Sequence, residues 1–416
     1  MKKFLATMLL LALPATASAM TLDEAANTAL ENNPGLQHTK QSIDIAEKSL
    51  QIARGNRGIS VNASGGANAS KVEGTPDSKG VNARVTGSVP LYSGNRLESQ
   101  VKYAELGIDI SKLDYSQAQE DLIYQVAKAY IDALENYENT QVYKQTEENM
   151  ADHEKNISAL FQAGSKAKID LLRAQVETAN AKQDTSKSQA AYEVSLTNLA
   201  TLMAVGSISN LTVEHVATSL DLGDLDFYIG QANENRADLK AAALRVDQGE
   251  LDLEVARSGR RPNVSAEVGA GVDADASDDW SRRAQASAGL SASWNIFDSG
   301  IVKAEIKKAE TQLKQLNLQM QNEINAVNEE VITAYKNLKI ALTRLQTTKK
   351  AVELAEEERF IAIERYRAGE GILLDVLDAE VSLSTAKKNH VSATYDVARY
   401  KFDLSHAIGD TMAAVQ

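Results

Sequence analysis

The stretch YRAGEGILLDVLDAEVSLSTAK, residues 366–387, occurs twice in related form in this chain of 416 residues. Its counterpart is FQAGSKAKIDLLRAQVETANAK, residues 161–182, which aligns without a gap at an offset of 205 and is identical at eight of 22 positions. In each copy a short Ala-Gly segment separates two stretches of helical character. Because an internal repeat fixes the architecture of a whole chain, the match predicts two copies of one unit of about 200 residues.

Shorter matches extend the repeat upstream of this segment. VPLYSG at 89–94 is similar to NIFDSG at 295–300, and VNASGGA at 61–67 is similar to VSAEVGA at 264–270. The matches divide the chain after residue 19 into four segments. These are repeat 1 at 20–205, a crossover at 206–230, repeat 2 at 231–410 and a short tail at 411–416.

Residues 1–19 have the order of a cleavable secretory signal. Lys2 and Lys3 precede an apolar segment, and the small residues Ala17-Ser18-Ala19 follow it. We therefore expect the mature chain to start at Met20. No later run of about 18 apolar residues predicts a transmembrane helix. The chain has no cysteine, which excludes disulfides, a lipid anchor on cysteine and cysteine metal sites.

The composition argues against several classes of function. A formal net charge of −13 argues against nucleic acid as a partner. Aromatic residues make up only 5% of the chain, which favours an elongated molecule over one large globular core. The scattered histidines show no metal-ligand spacing, and we expect them at the surface. They are His38, His153, His215, His390 and His406. The sequence thus predicts no enzyme, no cofactor, no metal site and no ATPase loop.

After the NIFDSG segment at 295–300, apolar residues recur every three or four positions, in nine steps that cover 32 residues. They are Leu313, Leu316, Met320, Ile324, Val327, Val331, Tyr335, Leu338, Leu342 and Leu345. This spacing lies between that of a coiled coil and that of a straight helix. Since 301–367 contains no proline, we predict one helix there, and a second at 97–163. Long helices of this kind are also typical of coiled-coil scaffolds without any activity.

Four other segments alternate strictly between apolar and polar side chains, as strands with one apolar and one polar face do. They form two predicted hairpins, at 58–92 and 262–297, in which the last strand runs to Ile296. Turn-forming stretches at 73–80 and 273–283 join the strands. A soluble two-hairpin cap is one interpretation. A membrane is favoured because tilted strands of about 9 to 11 residues cross a bilayer and no other predicted element covers the apolar face.

Four strands cannot close into a barrel, and an open sheet edge in lipid would leave backbone groups without hydrogen bonds. Several chains must then share one barrel. Eight strands give an interior filled by side chains, whereas about twelve begin to leave a lumen. The small residues and the polar face suit a water-filled lumen, so a trimer is favoured over a dimer.

The two repeats, the hairpins followed by long helices after YSG or FDSG, and the tip segment YRAG…LLDVLDAEVSLSTAK resemble the TolC-type outer-membrane efflux proteins. The resemblance covers essentially the whole mature chain. It implies an α+β trimer with a shared twelve-stranded outer-membrane barrel and a periplasmic tunnel of long antiparallel helices. It also implies helices at 21–57 and 231–260 that run to and from the barrel.

By the same resemblance, the protein is the exit duct of a tripartite efflux pump or a type I secretion system. Its partners would be a periplasmic adaptor and an inner-membrane transporter. Two alternatives remain open from the residues alone. A passive porin would need the strands but not the four long helices, and an envelope-spanning tether would need the helices but no lumen.

The tip segment contains two carboxylates, Asp375 and Asp378, which lie on one face of a helix because they are three residues apart. Leu374, Leu377 and Val381 are expected to form a separate apolar packing stripe. The resemblance implies that the two aspartates line a constricted periplasmic entrance. A trimer would gather six such carboxylates, which attract cations in a narrow lumen.

The internal repeat separates the roles of the two aspartates. Asp375 aligns with Asp170, which indicates a shared structural role such as complementing the dipole at a helix N-terminus. Asp378 aligns with Arg173 instead and has no such structural counterpart. We therefore expect Asp378 to act as one of the carboxylates that line the entrance rather than as a helix cap.

The resemblance also implies polar links between neighbouring tip helices that keep the entrance closed, here called the latch. Tyr366 and Asp170 would contribute to it. Some relatives have an arginine of the latch where this chain has Gly371. We expect one of three basic residues to substitute for it. The candidates are Lys168, Arg173 and Arg367.

Gly164 and Gly369 lie at the two predicted tip turns, where glycine permits positive φ and ends a helix. The resemblance implies that these turns, with Ser165 and Glu370, also dock the α-hairpin of a periplasmic adaptor. Capping and docking are separate predictions for the same turns.

Overall fold

The computed structural model describes residues 19–71, 73–74, 78–213, 222–275 and 281–415. The predicted signal, except for its last residue Ala19, lies outside this part of the chain. So do the centre of the predicted crossover and parts of both predicted hairpin turns.

The chain consists of long helices and one antiparallel sheet, and its elements occur in the same order in both halves. The first half contains α1 (Leu22–Asn32), α2 (Pro34–Gly55), β1 (Ser60–Ser70), β2 (Ser78–Tyr92), α3 (Arg96–Gln162) and α4 (Lys168–Leu202). The second half contains α5 (Leu225–Asn235), α6 (Ala237–Ser258), β3 (Asn263–Asp275), β4 (Ser281–Ser293), α7 (Ile301–Arg367), α8 (Leu373–Ala407) and α9 (Thr411–Val415).

Corresponding helices have equal lengths of 11, 22, 67 and 35 residues in the two halves. This agreement confirms the predicted duplicated fold of long helices with four strands. The chain divides into two compact units. We call residues 37–118 and 236–327 the sheet unit, and the remainder the tip unit.

The helix expected at 21–57 is interrupted, as is the one expected at 231–260. Asn33 is extended (φ −64°, ψ 119°) because Pro34 follows it and disfavours a helical conformation. The side-chain oxygen of Asn33 then accepts hydrogen bonds from the N–H groups of Gly35 and Leu36, so it caps α2. In the second half Arg236 makes the break, and α5 begins at Leu225, inside the segment assigned to the crossover.

The sheet has the strand order β1-β2-β3-β4, with every neighbouring pair antiparallel. Its register brings like side chains into rows. One row contains Val61, Gly87, Val268 and Ala288. The adjacent row, on the other face, contains Asn62, Thr86, Gly269 and Ser287. The sheet therefore has one apolar face and one polar face, as the alternation predicted.

The last strand is shorter than its alternation suggested. β4 ends at Ser293, so Trp294 and Ile296 lie beyond the ladder. The indole N–H of Trp294 donates instead to the carbonyl oxygen of Arg260 at 3.0 Å. The indole N–H thus has a hydrogen-bond partner although Trp294 lies outside the ladder.

In the sheet unit the helices approach closely at a glycine. A Cβ added to Gly249 of α6 would lie 2.6 Å from Cδ1 of Leu316 on α7. A larger residue at this position would require the Leu316 side chain to move away. Ion pairs at the surface connect α2 and α6 with α3, through Arg54 with Glu105 and Arg245 with Asp114.

In the tip unit the buried stripe of α7 differs from the predicted one in two places. Its buried residues are Val331, Ala334, Leu338, Ala341, Leu345 and Ala355. Tyr335 and Leu342, which the periodicity selected, are only half-buried. Val331 and Leu338 are the most deeply buried of these residues, and each is followed three positions later by a buried alanine, Ala334 or Ala341. Within the described residues, none of the helices contains an apolar stretch long enough to cross a membrane.

Candidate functional site

The turn between α3 and α4 is a Schellman motif, a helix end closed by a residue in the left-handed conformation. Gly164 has φ +73°. Its N–H donates to the carbonyl of Phe161 at 2.9 Å, and the N–H of Ser165 donates to that of Leu160 at 2.8 Å. The turn thereby satisfies two carbonyl groups that the helix end leaves without partners.

The turn between α7 and α8 has the same geometry. Gly369 has φ +79°, and its N–H donates to Tyr366 at 3.2 Å, while the N–H of Glu370 donates to Arg365 at 2.9 Å. No atom lies within 4 Å of a Cβ added at Gly164 or Gly369. Backbone conformation rather than space therefore requires glycine in both turns, and their outer surface is open to solvent.

Asp375 lies in the first turn of α8 and accepts a hydrogen bond from the backbone N–H of Ile372 at 3.5 Å. Its carboxylate also lies where the helix dipole is positive. Asp378 is exposed one turn further on and forms no hydrogen bond or ion pair with the described residues. Asp170 occupies the equivalent place in the first turn of α4 and is half-buried.

The helices behind the two turns share one apolar core. Its buried members are Met150, Ile157, Ala174, Ala181, Leu373 and Leu377. The packing stripe expected from Leu374, Leu377 and Val381 is wrong, because only Leu377 of the three is buried. Leu374 and Val381 are 49% and 55% exposed, as α8 turns Leu373, Val376 and Leu377 inward.

The structure does not bring the latch candidates together within one chain. Tyr366 and Asp170 form no hydrogen bond with each other, and the Tyr366 hydroxyl is buried without a hydrogen-bond partner among the described residues. Arg367 pairs with Glu364 on its own helix at 2.8 Å, at the surface. Lys168 and Arg173 are exposed and form no ion pair with described residues.

The ring of Tyr366 contacts one cation and one imidazole of its own chain. The Lys166 ammonium lies 4.3 Å from its ring centroid, and the His153 ring lies at 5.7 Å. Burial lowers the pKa of His153, and the nearby Glu380 opposes that effect. The expectation of a surface histidine is thus wrong for His153, whose Nε2 is buried without a hydrogen-bond partner in the described chain.

Glu380 is a buried carboxylate that the sequence reasoning missed. Its side chain is 8% exposed and pairs with Nε of Arg359 from α7. Nδ2 of Asn149 from α3 donates to its other oxygen at 3.2 Å. The sequence spacing could have predicted this burial, because Glu380 follows Leu373 and Val376 at the three- and four-residue steps of one helix face. An open cleft of about 240 Å³ between α3 and α8 reaches this carboxylate.

Among the described residues, no three His, Asp or Glu side chains are arranged to hold a metal ion. The chemistry available at the tips is therefore that of exposed carboxylates, exposed cations and two glycine turns. Such groups can attract ions and contact a partner.

Comparison with known proteins agrees with this geometry. A sequence profile described as Outer membrane efflux protein matches residues 25–205 and 228–410, which are most of both halves. The chain belongs to the outer membrane efflux protein family. The resemblance stated from the tip segment is confirmed.

Individual relatives are distant but nearly full-length. The chain is 23% identical over 434 residues to Outer membrane protein TolC of Escherichia coli strain K12, covering 98% of this chain and 87% of that protein. The outer-membrane channel OprN has a TM-score of 0.83 at 22% identity, covering 94% and 90% of the two chains. The outer membrane protein VceC of Vibrio cholerae has a TM-score of 0.82 at 19% identity, covering 94% and 96%.

TolC and VceC are described as outer-membrane proteins, and OprN is described as an outer-membrane channel. The protein is accordingly an outer-membrane protein of the efflux type with a helical periplasmic part.

Proposed function

We propose that three copies of the chain form a gated channel that is the exit duct of a tripartite efflux pump or type I secretion system. A periplasmic adaptor and an inner-membrane transporter would complete the assembly. The observation that carries the proposal is the pair of glycine turns at the tips, next to exposed Asp375 and Asp378. A passive porin would need the strands but not the long helices α3 and α7 that lead to these turns.

The sheet supports a shared barrel. β1 and β4 are its edges, and within the described residues each pairs on one side only. Both edges need partners if the sheet lies in lipid. Three copies would supply twelve strands, about the number at which a lumen opens.

The outer surface of α7 supports close contact between copies. Ile340, Leu354 and Ile361 are 65%, 56% and 48% exposed. Their numbers differ by multiples of seven, so they form one stripe along the helix, as the contact residues of coiled coils do. A second copy covering the stripe would remove this apolar surface from water.

The entrance is the part of the proposal that electrical recordings test. We expect Asp375→Ala with Asp378→Ala to lower both the cation preference of the channel and its block by multivalent cations, because six negative charges are lost. The measurement is single-channel recording in planar bilayers.

Two further variants separate charge from capping. Asp378→Asn removes a charge without affecting the bond from Ile372 to Asp375, so it should show part of the same effect. Asp184→Asn, an exposed charge further along α4, should leave selectivity unchanged. If the double variant keeps full cation selectivity, the carboxylate ring plays no part and only the capping role of Asp375 remains.

The latch is proposed to form between copies rather than within one. Exposed Lys168 and Arg173 are available to carboxylates of a neighbouring copy, whereas Arg367 is already paired with Glu364. Arg173→Ala should raise the conductance of the closed channel if this assignment holds. Arg367→Ala is the comparison, and a larger rise there would transfer the role to Arg367.

Adaptor docking is tested separately. Single cysteines at Ser165 and Glu370 face solvent in the two turns, and the chain has no other cysteine. In cells we expect both to crosslink to a periplasmic adaptor that carries cysteines in its α-hairpin. A cysteine at exposed Asp184 should not crosslink. Absence of crosslinks from both turns would remove docking while leaving the helix caps intact.

A further inference from the structure

A basic cleft of about 540 Å³ lies in the sheet unit, where α6 ends and α7 begins. Five basic side chains and one carboxylate line it, with Ile306 at its apolar floor. The charged residues are Arg257, Arg260, Arg261, Lys303, Lys307 and Glu310. So strong a concentration of positive charge is unexpected in a chain with a formal net charge of −13.

Some of these cations have structural partners. Arg257 and Arg261 share the carboxylate of Glu254 at 2.8 and 3.6 Å, and Arg261 also donates to the carbonyl of Gly94 at 2.9 Å. Lys307 pairs with Glu310 at 3.1 Å. These three cations therefore already have partners within the fold and do not need a ligand.

Arg260 and Lys303 are different. Both are exposed, and neither forms an ion pair with any residue that the structure describes. They come from the segment after α6 and from the first turn of α7, and both line the cleft. The Arg260 backbone is fixed, since its carbonyl accepts the bond from the Trp294 indole. Two unpaired cations are thus held at one open cleft.

The cleft lies next to apolar side chains suited to a membrane boundary. Trp294, Ile296 and Phe297 follow the end of β4 and are 60%, 82% and 84% exposed. Aromatic residues collect where membrane proteins pass from lipid to water. This end of the sheet carries the helices and so faces the periplasm. The hydrogen bond from Trp294 to Arg260 connects the aromatic anchor directly to the cleft.

We propose that the cleft binds the phosphate of an anionic phospholipid headgroup in the periplasm-facing leaflet of the outer membrane. Arg260 would contact phosphate oxygens through its planar guanidinium, and Lys303 would add a second charge. Basic residues at a membrane surface bind anionic lipid in this way. The site would anchor the boundary of the barrel, whichever transporter the duct serves.

Trp294 provides a reporter at the site. The chain has two tryptophans, so Trp280→Phe leaves Trp294 as the single fluorophore. The full-length protein is reconstituted into vesicles with brominated phosphatidylglycerol or brominated phosphatidylcholine. Quenching of Trp294 then gives the relative affinity of the two lipids next to it. We expect a several-fold preference for the anionic lipid.

Single substitutions test which cations produce the preference. Arg260→Gln and Lys303→Gln should each reduce it by about fivefold, down to a limit of equal affinity. Lys336→Gln, an exposed and unpaired lysine on α7 in the tip unit, should not change it. Far-ultraviolet circular dichroism must show equal helix content for all variants.

Three results would overturn the proposal. The first is equal quenching by the two lipids, and the second is a preference that neither cleft substitution reduces. The third is relief of anionic-lipid quenching by inorganic phosphate at constant ionic strength, which would assign the cleft to free phosphate instead of a lipid.

Discussion

At the scale of single residues, the internal duplication identifies a position where one half has a strained residue and the other does not. Ala204 follows α4 with φ +53°, and Gly409 follows α8 with φ +73°. The hydrogen bonds match: Val205 donates to Ala200 at 3.0 Å, as Asp410 donates to Ser405 at 2.9 Å. Both are Schellman ends, but a Cβ in the left-handed region raises the energy of Ala204.

We therefore predict that Ala204→Gly stabilises the protein by about 1 kcal/mol, because it relieves the left-handed strain. The reverse change, Gly409→Ala, should destabilise it by a similar amount. Urea titration followed by circular dichroism measures both. Destabilisation by Ala204→Gly would show that the entropy of glycine in the unfolded chain outweighs the strain.

His406 is the second residue with a measurable consequence. It is 15% exposed, stacks on the ring of Tyr124 at 4.3 Å, and contacts Asp121 through Nε2 at 2.9 Å and Glu330 through Nδ1 at 3.4 Å. Burial lowers its pKa, but hydrogen bonds to the two carboxylates outweigh burial and raise the pKa to about 9. The expectation of a surface histidine is wrong for this residue as well.

Because the folded pKa of His406 lies above that of the unfolded chain, its protonated form stabilises the folded state. The contribution is complete below about pH 6.5 and is lost as the pH rises through about 9. We predict stability that falls by at most about 3 kcal/mol over this window, and by much less in His406→Gln. Urea titrations at several pH values measure it. Equal pH dependence in the two proteins would refute the assignment.

At the scale of helices, Glu380 holds α8 against α3 and α7 through Asn149 and Arg359. A double-mutant cycle with Glu380→Gln and Arg359→Met should give a coupling free energy of about 1 to 2 kcal/mol, because the carboxylate is buried. The exposed pair of Glu364 and Arg367 is the matched control, with about 0.3 kcal/mol expected. A coupling at Glu380 no larger than the control would mean that water screens the pair.

The helices and strands were largely predictable because the periods of the apolar pattern differ between them. The turns that connect the strands to the long helices were less predictable. The sequence alignment pairs Gly94 with Gly300, at an offset of 206. The backbone gives a different correspondence, because each half has two successive residues with positive φ. In the first half they are Gly94 (φ +64°) and Asn95 (φ +71°), and in the second half they are Ser299 (φ +56°) and Gly300 (φ +88°). Glycine is the first residue of the pair in the first half and the second residue in the second half. Aligning the two glycines therefore misplaced the turn by one residue.

At the tips, the sequence predicted the two glycine turns and the exposed aspartates, since both follow from local chemistry. It did not predict the burial of His153, Tyr366 or Glu380, because burial depends on which face of a helix meets the others. The error at Leu374 and Val381 has the same origin. Roles that arise between copies, such as the latch, stay predictions.

At the scale of the whole molecule, the account depends on the sheet being one part of a larger barrel. Its four strands leave two edges that pair on one side only in the described chain, and the apolar stripe of α7 has no cover there. Association with identical copies would both pair the sheet edges and cover the apolar stripe. The duplicated fold alone cannot supply it, because both halves already contribute to the one sheet.

The mass of the protein in a non-denaturing detergent tests this claim most directly. Multi-angle light scattering, corrected for bound detergent, should give three times the mass of the chain that remains after signal removal. A variant with Ile340→Asp and Leu354→Asp should dissociate more readily, because two charges would enter the contact between copies. A folded, stable monomer of the unchanged protein would contradict the shared barrel and with it the proposed exit duct.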